Sequence, residues 1–385
     1  MNVIKLYIYG YLNVYYVNYY GLLSKSHTTY KEFKVLKLAS YLNLSAWTKK
    51  MVIKFLNIII WFEVPFSLLL VSFRFLKSFG KCLVTPFKKI ENQYLLLGAG
   101  EVKTKQLLEE TDLDNIRVVT IPYITNKIYQ GLDIISIYSG IVLNDVIKSY
   151  YKAICTIIII YKKYRTRDFL TRSYSSFEYY LAYYYTQRSC ASNVYIFTST
   201  YSKWAFLHGY LQHKTIFLQH GWLSNESINL LKIGSANAAY YISEQQKHVC
   251  EGLLFNNKPE AHYLKGIKFN IIPDKTKINI LLVCESGFRR KELKIIEEIA
   301  KNKDLRLFVK PHPKDKDIEV FENLKEECGL IILQGYNFPA VDYVISYEST
   351  LAIEYEMKGV TTLVYDRDEY EEEYRRLLSM KVHHD

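Results

Sequence analysis

From residue 93 onward, short apolar runs of strand length alternate with stretches of helical spacing. This is the pattern of an α/β chain with mainly parallel sheets. Strands are predicted within YLLLGAGE (94–101), VVTIPY (118–123), VYIFTST (194–200), TIFLQHGW (215–222) and AAYYIS (238–243). Helices are expected at 102–111, 202–212 and 244–253. The stretch 128–164 is apolar and Tyr-rich, and its ICTIIIIY (154–161) suits a strand or a buried helix, because so short a run has no diagnostic period. A second series starts near 271. Its strands lie within INILLVCESG (278–287), LRLFVKPHP (305–313), LIIL (330–333), VDYVISYEST (341–350) and TTLVYD (361–366), with helices at 289–302, 316–327 and 350–358. The organisation expected is a basic, apolar region over 1–90, one Rossmann-like domain over 91–270 and a second over 271–385. Two such domains would face each other across a cleft.

Residues 1–90 follow another pattern. FLNIIIWFEVPFSLLLVSF (55–73) is almost continuously apolar, flanked by Lys54 and Arg74, with Lys77 and Lys81 following. About 20 apolar residues suffice to span a bilayer. Glu63 and Pro65 fall in the middle, however, and an acid there costs about 2.5–3.5 kcal/mol. Three readings stay open: a spanning helix, a helix lying in the interface with its basic residues toward anionic lipid, and a buried helical hairpin.

Charge adds a location to that pattern. The 385-residue chain carries a net +11. Residues 1–90 hold 13 Lys and Arg against Glu32 and Glu63, whereas the remainder holds 37 of each sign. A nucleic-acid binder spreads its basic residues over a phosphate-tracking face; here they are interleaved with apolar stretches. The expected partner is an anionic membrane surface and not nucleic acid, with the protein in the cytoplasm and peripheral on the inner face of the membrane. No cleavable signal-peptide pattern is apparent in residues 1–23.

Composition excludes several classes. With 49% hydrophobic and 23% charged residues the chain is neither disordered nor collagen-like, and it can bury a sizeable core. The 36 tyrosines read as compositional bias and not as a function. Six cysteines lie far apart without a CxxC pair, so neither a metal nor a redox site is expected, and no cofactor.

Ligands of open α/β sheets bind at the carboxyl ends of strands, so the strand exits carry the candidate chemistry. LQHGW (218–222) delivers Gln219 and His220 to a strand end, and Gly221 permits a turn. An imidazole there can serve as a general base or cap a loop. VKPHPKD (309–315) holds His312 between two prolines, with Lys310 and Lys314 beside it, a composition suited to phosphate or to an exposed turn. SYESTLAIEYEMKG (346–359) places Ser349 and Thr350 where a strand exit becomes a helix, and Glu354 on the same face one turn on. Hydroxyls there can hold an anion, or Ser349 can be a plain cap. CESGFRRKE (284–292) adds Ser286 and Gly287 at another exit. GAGE (98–101) is only a fragment of a glycine-rich loop, because Lys103 stands where a dinucleotide fingerprint needs its third glycine.

LQHGW, VKPHPKD and SYESTLAIEYEMKG occur in that order. Their sequence resembles the GT-B glycosyltransferases of bacterial surface polysaccharide synthesis, capsule polysaccharide transferases and polysialyltransferases above all, and also the CDP-glycerol glycerophosphotransferases. The resemblance covers about 190–366 and, more loosely, 93–190. It implies an inverting, metal-independent transfer from a nucleotide-sugar donor, a CMP-ulosonic acid first, to a surface polysaccharide or lipid-linked glycan. It implies His220 on the acceptor side as base, with Gln219 and Gly221 beside it. It places His312, Ser349 and Thr350 on the donor phosphates, His312 also stabilising charge on the departing phosphate, and Glu354 on the ribose; Lys310, Ser286 and Gly287 join them as donor-binding candidates from their strand-exit positions. Two alternatives follow from the same likeness: transfer of a polyol phosphate such as glycerol or ribitol phosphate, and a non-catalytic scaffold of polysaccharide assembly. Two features depart from the family. The acidic pair followed by glycine that some relatives use as base is missing, which leaves Glu101 and Glu226 as other acids to consider. The segment after the last strand is too short for a long helix crossing back to the first domain.

Overall fold

The structure, a computed structural model, describes residues 2–11, 46–97, 108–122, 132–164, 175–198, 203–219, 221–223, 232–285, 288–312, 318–335, 337–347, 349–365 and 370–381. For 46–50, 52–63, 163 and 164 only the backbone is described. The chain divides into two compact units, Met1–Leu264 and Lys265–Asp385.

The first unit holds a seven-stranded parallel sheet of β1 (Tyr94–Leu97), β2 (Ile116–Thr120), β3 (Asp133–Ser136), β4 (Val194–Phe197), β5 (Lys214–Leu218), β6 (Ala238–Tyr241) and β7 (Glu260–Tyr263). Its order is β3-β2-β1-β4-β5-β6-β7. Successive side chains of a strand point to opposite faces, and here both faces are covered. Leu95, Leu97, Val119 and Tyr195 enter one core cluster; Leu96, Val118, Ile196 and Leu218 enter another. That double burial makes the central strands read as continuous apolar runs.

Helices α1 (3–11), α2 (Ala46–Val84), α3 (Leu143–Tyr164) and α4 (Ser176–Arg188) cover the first of these faces. Farther along the sheet come α5 (Lys203–Gly209) and α6 (Glu244–Leu253). α2 runs through Pro65 as one 39-residue helix. It packs antiparallel on α3. Ser72 Oγ lies 2.8 Å from Tyr150 Oη, Phe75 stacks on Tyr150 at 4.4 Å, and Cys82 faces the Ile141 carbonyl. Arg74 reaches across to pair with the fully buried Glu178 of α4 at 2.5 Å. Tyr7 of α1 sits among Tyr179 and Tyr180, ring centres 5.1 and 5.9 Å away. One side of the described parts of residues 1–90 thus packs into the cores of the first unit, through Val3, Leu6, Tyr7, Ile8 and Val71. Residues 55–73 form part of one side of a helical hairpin. Among the described residues no helix is long and apolar enough to cross a membrane. The ambiguous run 154–161 is helical, within α3.

The second unit holds β8 (Ile278–Val283), β9 (Leu305–Lys310), β10 (Ile331–Ile332), β11 (Tyr343–Ser346) and β12 (Thr361–Val364), in the order β10-β9-β8-β11-β12 and all parallel. Counted from its own first strand this is 3-2-1-4-5, the order with which the first sheet also begins. Ile280 and Leu282 pack on α7 (Arg289–Ile299) and α10 (Tyr370–Leu378). Leu281 and Val283 pack on α9 (Thr350–Glu356) from the other side. α8 (Ile318–Cys328) links β9 to β10. The chain therefore has the α/β class its sequence predicts, two units with the Rossmann strand order.

Candidate functional site

In a sheet ordered 3-2-1-4-5 the crevice opens between strands 1 and 4, where successive connections leave in opposite directions. In the second unit these strands are β8 and β11. Their ends are flush: Val283 pairs with Ser346 on one side and with Lys310 of β9 on the other. Neighbouring strands lie about 4.8 Å apart, so the exits of β9, β8 and β11 sit side by side within about 10 Å. Lys310 and His312, the 284–288 loop, and Ser349 with Thr350 thus leave from one edge of one sheet.

Each exit is held differently. Lys310 ends β9, with its ammonium donated to the Gly335 carbonyl and lying 5.2 Å from the Phe338 ring centre. Its head therefore serves Gly335 and Phe338 while its charge stays near the strand end. His312 follows the buried Pro311 and is half-buried. Ser349 is the cap of α9, its Oγ accepting from the Leu351 N–H at 3.3 Å. Thr350 and Glu354, four residues apart on one helical face, are both half-buried. Ser286 and Gly287 lie outside the described residues.

Two features of this edge escaped the sequence. The first is Glu292 of α7, buried in full, whose Oε1 accepts the Glu285 N–H at 2.6 Å. Burial pushes its carboxyl above the usual range, against the pull of the Glu285 N–H and Arg289. Cys284 lies beside it, with a thiol raised by the same burial. Glu292 thereby fixes the start of the loop that carries Ser286 and Gly287. The second is an aromatic wall. Phe288 stacks on Tyr347 at 4.2 Å, and Tyr365 meets Phe288 at 5.7 Å and Tyr347 at 5.9 Å. Lys291 Nζ lies 4.9 Å over the Tyr365 ring and donates to the Tyr365 carbonyl at 2.6 Å. Tyr347 and Tyr365 each stand immediately after a strand, a repeated position that could have flagged them among so many tyrosines.

The first unit carries its candidate motif elsewhere. LQHGW leaves β5, one strand beyond the crevice between β1 and β4. His220 lies outside the described residues, as do Glu101, Glu226 and the GAGE segment from Gly98. The loop on both sides of His220 is described. Gln219 is fully buried. Its Oε1 accepts the Ile242 N–H at 3.0 Å, and its Nε2 donates to the Gly221 carbonyl at 2.9 Å and to Gln246 Oε1 at 2.5 Å. Gln246 in turn holds both backbone groups of Leu223, each at 2.9 Å. Gly221 has φ +111°, a conformation open to glycine. The side chain of Gln219 is therefore spent on its own surroundings, and two buried amides pin Gln219, Gly221 and Leu223. Gln246 was legible in principle: Ser243 caps α6 and Gln246 stands three residues on, the spacing of a capping box. Among the described residues no cluster of three or more His, Cys, Asp or Glu could hold a metal ion.

No known family matches the sequence, and no curated protein does. Solved structures do resemble it. The wall teichoic acid polymerase TagF aligns over 82% of this chain and 81% of its own, with 8% identity and a TM-score of 0.42. MurG of Acinetobacter baumannii aligns over 74% and 82%, with 10% identity and a TM-score of 0.34. TarM aligns over 53% of this chain, which spans about half of TarM (51%), with 11% identity and a TM-score of 0.32. Likenesses at these scores carry no argument about chemistry. The fold rests on the two strand orders.

Proposed function

We propose that this protein is a glycosyltransferase of GT-B type, moving a sugar from a nucleotide-activated donor to a surface polysaccharide or lipid-linked glycan. The observation that carries the reading is the flush edge of the second sheet. Three motif-bearing loops leave β9, β8 and β11 side by side, at the position where open α/β sheets take their ligands. In this reading His312, Ser349 and Thr350 contact the donor phosphates and Glu354 the ribose. His220 takes the proton of the acceptor hydroxyl. The acceptor oxygen bonds to the anomeric carbon, the bond from that carbon to the donor phosphate oxygen breaks, and the electron pair leaves with the nucleotide. A CMP-linked ulosonic acid is the donor favoured by the motif likeness.

Calorimetry with CMP, CDP and UDP, on the wild type and on His312→Ala, tests the assignment. One nucleotide should bind, and the variant should weaken it by about 10- to 100-fold, the worth of a charge-assisted contact. A folded His312→Ala protein with unchanged affinity removes the site. Failure of all three nucleotides to bind favours the scaffold. Product analysis separates the remaining alternative, because a polyol-phosphate transferase leaves phosphorus in the acceptor product and a glycosyltransferase leaves none there.

A further inference from the structure

α2 and α3 present an apolar face that the cores leave uncovered. On α2, Phe66, Leu69, Phe73, Leu76 and Leu83 are exposed, Leu69 by 70%. Their spacing of three and four residues aligns them in one strip. On α3, Ile147, Tyr151, Ile158 and Tyr161 are exposed, Tyr151 by 68%. Single exposed apolar residues are ordinary; the placement of these is not. The two helices meet through Ser72 and Phe75 on one side and Tyr150 on the other. At 3.6 residues per turn, Leu76 and Leu69 lie on the sector of α2 next to Ser72. Ile147 and Tyr161 lie on the sector of α3 next to Tyr150. Both strips therefore flank one seam on its outer side and form one face.

Among the residues of α2 and α3 whose side chains are described, the only acid is Asp145, buried in a pair with Arg188; Glu63 precedes them on α2. Lys77 and Lys81 lie on the sector of α2 away from α3, Lys81 with its ammonium 5.7 Å over the Tyr138 ring, and Lys148 and Lys162 on the sector of α3 away from α2; all four are exposed. An apolar strip between two lysine borders is complementary to the surface of an anionic bilayer, with the apolar side chains among acyl chains and the ammonium groups at the headgroups. A second copy of the chain fits less well, because a two-fold contact through this face sets like charges against each other.

We infer that the α2–α3 hairpin lies flat on an anionic membrane through this seam. The face includes α3, so membrane contact extends beyond the basic first quarter of the sequence, and it is independent of the proposed chemistry. Flotation of the full chain with phosphatidylcholine vesicles, with and without phosphatidylglycerol, tests it. Binding should require the anionic lipid and fall with salt. Leu69→Glu with Tyr151→Glu, and separately Lys77→Gln with Lys81→Gln and Lys148→Gln, should each weaken binding by about tenfold or more, with unchanged melting temperature. Gly80→Leu should tighten it, since Gly80 lies in the strip and its added Cβ meets open space. Equal binding to neutral vesicles, or glutamate variants that bind like the wild type, overturns the inference. So does a dimer in ultracentrifugation that Leu69→Glu with Tyr151→Glu dissociates while no vesicle binding is seen.

Discussion

The two sheets begin with the same strand order but load their motifs at different places. In the second unit CESGFRRKE and SYESTLAIEYEMKG leave β8 and β11, the two strands that flank the crevice, and VKPHPKD leaves β9, one strand out on the β8 side. In the first unit LQHGW leaves β5, one strand farther along. The means of holding the loops also differ. Gln219, Gly221 and Leu223 are fixed by two neutral amides, those of Gln219 and Gln246, which hydrogen-bond inside the protein. On either side of 286–287, Glu285 is held by a buried carboxyl, Glu292, and Phe288 by an aromatic stack. Neutral amides give a loop a geometry that does not change with pH, whereas a buried carboxyl couples geometry to protonation. The common topology thus supplies the position of the strand ends, and the side chains behind the loops decide what each end can do.

The largest effect expected from this comparison is at His220. If the pinned loop of the first unit presents the base, His220→Ala should lower the rate of transfer by about 10²–10⁴-fold. Donor affinity should change little, because the residues proposed to hold the donor belong to the second unit. The acid limb of the rate profile should vanish with the imidazole. Nucleotide release and melting temperature measured on one preparation decide the matter. Equal losses of rate and donor affinity would move His220 to the donor, and lowered stability with normal turnover would make it a loop residue only.

Next in size is the clamp behind it. Gln246→Leu leaves the buried Gln219 amide and the backbone groups of Leu223 without their partner. Buried groups so stranded cost about 1–3 kcal/mol, which should appear as a lower midpoint of chemical denaturation. Turnover per folded molecule should also fall, since the loop on both sides of His220 loses its anchor, while nucleotide binding stays normal. Turnover unchanged despite the loss of stability would separate the clamp from the chemistry.

How much of this was written in the sequence follows burial. Strands covered on both faces, such as ILLV in β8, show as apolar runs and were found. β3 and β7 were missed, because DIIS and EAHY lie at the sheet edges with most of their side chains exposed or half-exposed. α3 was ambiguous over 154–161 because that segment is almost entirely apolar. Only its flanks, with Asp145, Lys148 and Lys152 breaking the pattern, give the helical period. The motif residues were legible as a set because each stands at a strand exit. Their supports were not, since nothing in the spacing of Glu285 and Glu292 says that one N–H meets the other's carboxyl. The long helix α2 hid its split character in the same way. Arg74 pairs inward with Glu178, while Lys77 lies exposed on the border of the apolar strip.

The smallest effect, and the one that sharpens the contrast between amide and carboxyl clamps, is at Glu292. Its carboxyl is raised by burial in the folded state. Between its ordinary value and its folded value, the folded protein binds more protons than the unfolded chain. Stability therefore falls as pH rises through that window. Glu292→Gln keeps an oxygen that can accept the Glu285 N–H but removes the titration. The variant should lack this fall in melting temperature and should match or slightly exceed the wild type at neutral pH, by no more than about 2–4 °C. Gln219→Glu, the reverse exchange in the other clamp, should import a pH dependence that the amide clamp does not have. Melting curves from mildly acidic to neutral pH on both variants test the pair. If Glu292→Gln retains the slope of the wild type, the carboxyl is not the titrating group, and the two loops are held by equivalent means.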